Sequence, residues 1–64
     1  LNIQIEDGFY SDYQYQIYNS VGMLIQSDEL SQQLNLSGLT NGWYILRIIN
    51  TETGLAFTQK LMVL

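Results

Sequence analysis

The side chains able to do chemistry in this 64-residue chain are few and mostly of one kind. Six are carboxylates: Glu6, Asp7, Asp12, Asp28, Glu29 and Glu52. Arg47 and Lys60 are the only cations, and histidine and cysteine are absent. Lack of histidine removes the usual general base and the commonest metal ligand. Lack of cysteine removes thiolate chemistry and any disulfide framework. Two carboxylates could in principle share acid–base work, but a domain this short leaves little room for a pocket of ordinary size. Calcium wants several oxygens converging in one loop. Glu6-Asp7, Asp12, Asp28-Glu29 and Glu52 sit near expected turns, yet the compact Asp-x-Asp-x-Asp-Gly spacing is missing. The expectation is therefore no enzyme, no metal and no cofactor. Tyr10, Tyr13, Tyr15 and Tyr18 could stack on sugar rings, or pair across strands as such residues more often do. Asn35-Leu36-Ser37 is formally a glycosylation triplet, but it falls where a strand steps into a turn.

Charge narrows the partners. The net charge is −4, and neutralising phosphates takes several lysines or arginines, which excludes nucleic acid. The same deficit argues against an anionic membrane surface. No apolar run approaches the roughly 20 residues of a spanning helix, and no signal peptide is recognisable. Hydrophobic residues make up 47% and charged residues 12%, the balance of a packed chain rather than a disordered one. One domain is the ceiling, and a chain of this size buries only about 60% of its unfolded surface. The sequence starts on Leu1, without methionine and already in alternation, as expected of a piece of a longer polypeptide.

The elements that must position these groups are strands, because the dominant period is two. "LNIQIE" sets Leu1, Ile3 and Ile5 against Asn2, Gln4 and Glu6. Asp7-Gly8 supplies turn chemistry and "FYSD" reads as loop. "YQYQIYN" (13–19) alternates again, "SVG" turns the chain, and "MLIQS" (23–27) follows at hairpin spacing. "DELSQ" reads as loop, with room for a single helical turn. "QLNL" (33–36) sets Leu34 and Leu36 on one face. "WYILRIIN" (43–50) is the strongest strand, "TETG" a turn, and "FTQKLMVL" (57–64) the last strand. Short strands with a turn signal about every ten residues predict an all-β, immunoglobulin-like antiparallel β-sandwich of about six to seven strands, or else a small barrel.

Turn chemistry is densest just before the strongest strand. Leu39, Gly42 and Tyr44 have the spacing Leu-x-x-Gly-x-Tyr. A tyrosine entering a strand of a Greek-key sandwich folds back over the corner behind it, its hydroxyl bonding backbone a few residues upstream. Gly42 would permit the backbone conformation such a corner needs, and Gly38 the same one turn earlier. Gly22 and Gly54 mark the two hairpin turns.

Taken together, Tyr15–Ser27, "LNLSGLTNGWYILRI" and "TGLAFTQKLMVL" resemble the C-terminal sorting domain of the type IX secretion system, type A (the Por secretion system family). The pieces are the polar-x-x-Gly turn at Asn19–Gly22, the Leu-Ser-x-Leu step at 36–39 and Gly-x-Tyr at 42–44. An arginine-bearing apolar strand at 45–48 follows, then Gly54 and Thr-x-Lys at 58–60. The chain departs from the family where Thr40 replaces a frequent proline. It also lacks the Pro-Asn-Pro opening and the basic finish of many members. The resemblance implies a single C-terminal sorting domain over residues 1–64. It further implies an immunoglobulin-like label on a larger cargo of a Gram-negative bacterium, exported to the periplasm and then to the outer-membrane surface or the medium. The partners implied are the outer-membrane translocon and a sortase-like processing peptidase.

Residues 43–50 are apolar on both faces. Either this is a central strand covered on both sides, or Trp43, Ile45 and Ile49 form an exposed patch that meets machinery or a second copy. Arg47 and Lys60 are expected near that patch as partner-recognition charges, against the plainer reading of two solvated charges. A weak homodimer through the tryptophan strand stays open. So does a rival reading, a small adhesion module that binds carbohydrate or protein through its tyrosines.

Overall fold

A computed structural model describes residues 1–5 and 8–64. Three expectations fall wholly or partly on Glu6 and Asp7, outside the described residues: the end of "LNIQIE", the start of the Asp7-Gly8 turn, and the first acidic pair as calcium or acid–base groups. Four antiparallel strands make one open sheet: β1 Tyr13–Asn19, β2 Leu24–Glu29, β3 Gly42–Asn50 and β4 Ala56–Val63, in the order β2-β1-β3-β4. A 3-10 turn at Tyr10–Asp12 precedes β1, inside the stretch read as loop. β1, β3 and β4 follow the alternation read from the sequence to within a residue. β2 runs on through Asp28 and Glu29, which sequence reading left as loop.

Both hairpins are closed by an asparagine. At the β1–β2 turn Gly22 N–H donates to the Asn19 carbonyl at 3.0 Å, and Asn19 Oδ1 accepts from the N–H groups of Val21 and Met23. At the β3–β4 turn Gly54 N–H donates to the Asn50 carbonyl, and Asn50 Oδ1 accepts from Glu52 and Thr53. Side-chain oxygens here take the place of a backbone turn, which is why asparagine suits both positions.

Topology explains how the core is covered. β1 is antiparallel to both β2 and β3, so those two run parallel and the chain leaving β2 must return along the sheet before β3 can start. Residues 30–41 make that return across one face, carrying Leu30, Leu34, Leu36 and Leu39 over Tyr15, Ile17, Tyr44 and Leu46. Ile3 and Ile5 join the same layer. The six buried apolar side chains are Tyr15, Ile17, Leu30, Leu34, Tyr44 and Leu46, with Ile17 fully enclosed.

The fold is all-β as expected, but the two facing sheets of six to seven strands reduce to one four-stranded sheet and an irregular cover. Among the described residues of "LNIQIE" and "QLNL" there is a single bridge, Asn2 to Gln33, flanked by Ile3 N–H to the Gln32 carbonyl and Leu34 N–H to the Leu1 carbonyl. These segments have the alternation of strands but cross a narrow core with one short partner each, so no ladder propagates. Polar ties to the sheet replace it: Tyr10 donates to the Ile3 carbonyl at 2.6 Å, and Gln26 Nε2 reaches both the Tyr15 hydroxyl and the Asn35 carbonyl.

The corner before β3 has the expected bond. Tyr44, only 6% exposed, donates its hydroxyl to the Thr40 carbonyl at 2.6 Å and lies 3.1 Å from Thr40 Oγ1. It joins the cover to the sheet rather than one sheet to another. Gly42 sits at φ +146°, a region that favours glycine. Gly38 does not take a positive φ, and the expectation of a second special backbone position there is corrected.

Candidate functional site

Alternation along β3 sends Tyr44, Leu46 and Ile48 to the covered face and Trp43, Ile45, Arg47 and Ile49 to the other. That second face has no cover among the described residues. The reading of β3 as a strand enclosed on both sides is therefore corrected: it is central in the sheet, yet Trp43 is 52% exposed. One crossover passes over one face, so the opposite face is left to solvent.

Register then decides which residues of different strands become neighbours. Ile45 stands between Tyr18 of β1 and Lys60 of β4. Trp43 pairs with Met62, and Arg47 lies between Gln16 and Thr58. The Lys60 ammonium sits 5.5 Å from the centroid of the Trp43 ring, within cation–π range. Tyr18, Trp43, Ile45 and Lys60 line a shallow groove of about 470 Å³, closed at one end by the Asn19–Gly22 turn. Alongside it, Gln16 Oε1 accepts from the Tyr18 hydroxyl at 2.7 Å and from Arg47 Nη1 at 3.2 Å. This holds Arg47 flat on the face, half-buried.

Of the five residues expected to meet a partner, three come together at the groove: Trp43, Ile45 and Lys60. Arg47 occupies the next row. Ile49 lies six residues along the strand from Trp43, about 20 Å away, between Gln14 and Ala56, and does not line the groove. Gln16 and Met62 belong to the face and were not singled out from sequence, and Tyr18 was weighed only for sugar stacking or cross-strand pairing, not as a neighbour of Trp43 and Lys60. Their alternation was legible, but which strand lies beside which was not.

The structural residues are placed as follows. Leu39 packs half-buried against the core, Gly42 and Tyr44 form the corner, and Gly22 and Gly54 take positive φ in the two hairpin turns. The tyrosines do not share a platform. Tyr13 and Tyr15 turn to the core side, Tyr10 bonds the cover, and Tyr18 alone faces outward. Among the described residues no three carboxylates gather as a metal-binding group, and no helix is long and apolar enough to cross a membrane.

A protein-family model for the secretion system C-terminal sorting domain matches residues 1–64. Comparison with curated proteins gave no match, and neither did comparison with solved structures.

Proposed function

The chain belongs to the family of type IX secretion C-terminal sorting domains, and from that premise we propose that residues 1–64 form a single domain acting as the address label of a larger exported cargo. The observation that carries the reading is that the family match runs over the whole of residues 1–64 rather than over a fragment. A family of this kind serves in sorting and not in catalysis. On this reading the outer-membrane translocon recognises the folded label and releases the cargo to the surface or the medium. A sortase-like peptidase then removes the label.

Two features of the fold support recognition of the folded domain. β4 is an edge strand, so one side of its backbone is free to pair with another chain. The face bearing Trp43 is apolar and open. The irregular cover, with its one Asn2–Gln33 bridge, is in this reading the reduced counterpart of the second sheet of an immunoglobulin-like sandwich.

Fusing residues 1–64 to an unrelated reporter with a periplasmic signal peptide tests the reading in a host that has type IX secretion. The expected result is reporter on the cell surface or in the medium, and its retention when the translocon is deleted. A reporter held in the periplasm of the competent host would refute it.

A further inference from the structure

We propose that the groove formed by Tyr18, Trp43, Ile45 and Lys60 docks an acidic peptide segment of the export machinery, which lays an apolar side chain on Trp43 and Ile45 and a carboxylate against Lys60. That the segment is carried by export machinery rests on the sorting reading; its chemistry rests on the groove. Charge complementarity selects it. The chain has a net charge of −4 and two cations in all, and both cations lie on this face. The rows that hold them, Ser27–Gln16–Arg47–Thr58 and Leu24–Tyr18–Ile45–Lys60, contain no carboxylate. Of the described acids, Asp12 stands before β1, Asp28 on the far edge strand β2 and Glu52 in the β3–β4 turn; Glu29 shares this face, in the row Glu29–Gln14–Ile49–Ala56, but sits at the far edge of the sheet and two rows from that of Lys60.

An acidic partner is thus repelled by most of the molecule and attracted at one place, which orients the encounter as well as holding it. A second copy docked face to face would oppose like charges across the same surface, so the homodimer is the less favoured occupant. The apolar half of the site has the composition of binding hot spots, with a half-exposed tryptophan beside tyrosine and isoleucine. Lys60 is positioned by the Trp43 ring at 5.5 Å, and only part of its ammonium faces that ring. The remaining N–H donors are free to meet a carboxylate.

Trp43 is the only tryptophan, so its fluorescence reports the groove directly. The 64-residue chain is titrated with the peptide Glu-Phe-Glu-Leu-Glu, its Lys-Phe-Lys-Leu-Lys counterpart and cellopentaose. A saturable response to the acidic peptide alone is expected, weakened by salt and about tenfold weaker in Lys60→Glu, with Lys60→Arg close to wild type. Equal response to both peptides, saturation by the sugar, no saturable response, or a shift on raising chain concentration alone would each overturn the proposal. The reporter fusion separates this from the sorting reading. Export of the wild type with retention of Lys60→Glu supports the proposal, and equal export of both overturns it. Retention of the wild type overturns the sorting reading and with it the assignment of the segment to export machinery, while the titration still decides the chemistry of the groove.

Discussion

Replacing Tyr44 by phenylalanine isolates one bond on which the corner depends. The ring stays, so the buried apolar surface of a residue 6% exposed is unchanged and no cavity opens. What is lost is the donation to the Thr40 carbonyl at 2.6 Å and the contact with Thr40 Oγ1 at 3.1 Å. A hydrogen bond of this kind contributes about 0.5–1.5 kcal/mol net, and a stranded buried partner would add about 1–3 kcal/mol. Thr40 is exposed, so water can re-solvate its carbonyl and the first figure applies: about 1 kcal/mol. Against a total stability of roughly 3–10 kcal/mol for a chain this size, that is a sizeable share. It corresponds to a fall in melting temperature of about 4–8 °C and, with a urea slope near 1 kcal/mol/M, to a midpoint about 1 M lower. Urea titration followed by Trp43 fluorescence, with thermal melts by circular dichroism, measures both. Thr40→Val keeps the carbonyl and should cost less than half as much. Identical midpoints for Tyr44→Phe and wild type would refute the reasoning, since the corner would then hold without its bond.

The remaining predictions concern backbone, core and turn. Gly42→Ala should cost about 1–3 kcal/mol through backbone strain alone, because φ is +146° and a new Cβ would meet nothing within 4 Å. Gly38→Ala, with ordinary φ and equally open surroundings, should leave the melting temperature level or raise it slightly, so paired melts distinguish the two glycines. Ile17→Ala empties the one fully enclosed side chain and should remove about 2–5 kcal/mol, enough to collapse amide dispersion in an NMR spectrum at 37 °C. Asn19→Ala deletes the side-chain acceptor for Val21 and Met23 and should lower the urea midpoint by about 0.5–1 M.

Local chemistry was readable wherever neighbours in sequence settle the outcome. Tyr13–Asn19 alternates so regularly that β1 has the bounds read from its letters. Asn19–Gly22 and Gly54 announce their turns because asparagine oxygens and glycine backbones act within a few residues. The Tyr44 bond reaches back four residues and was visible in Leu39-x-x-Gly42-x-Tyr44. "LNIQIE" misled for the same reason: alternation reports which side chains share a face, not whether a partner strand is present to complete a ladder. Asp28 and Glu29 were read as loop because acids are poor strand formers, yet β2 is an edge strand and its solvent side suits charge.

Residue types and period two were enough to set the all-β class, the three longest strands, both hairpin turns and the corner, while the family was legible only as a resemblance of motifs in order. Tertiary structure alone decided register and cover. Alternation separates Trp43, Ile45 and Arg47 from Tyr44 and Leu46 but does not say which group meets solvent. That followed from the parallel relation of β2 and β3, which sends residues 30–41 across one face and leaves the other bare. Seventeen positions separate Trp43 from Lys60 in the chain, and only the pairing of β3 with β4 brings the ammonium over the ring. Contacts of that range are made by topology, which local propensity does not encode.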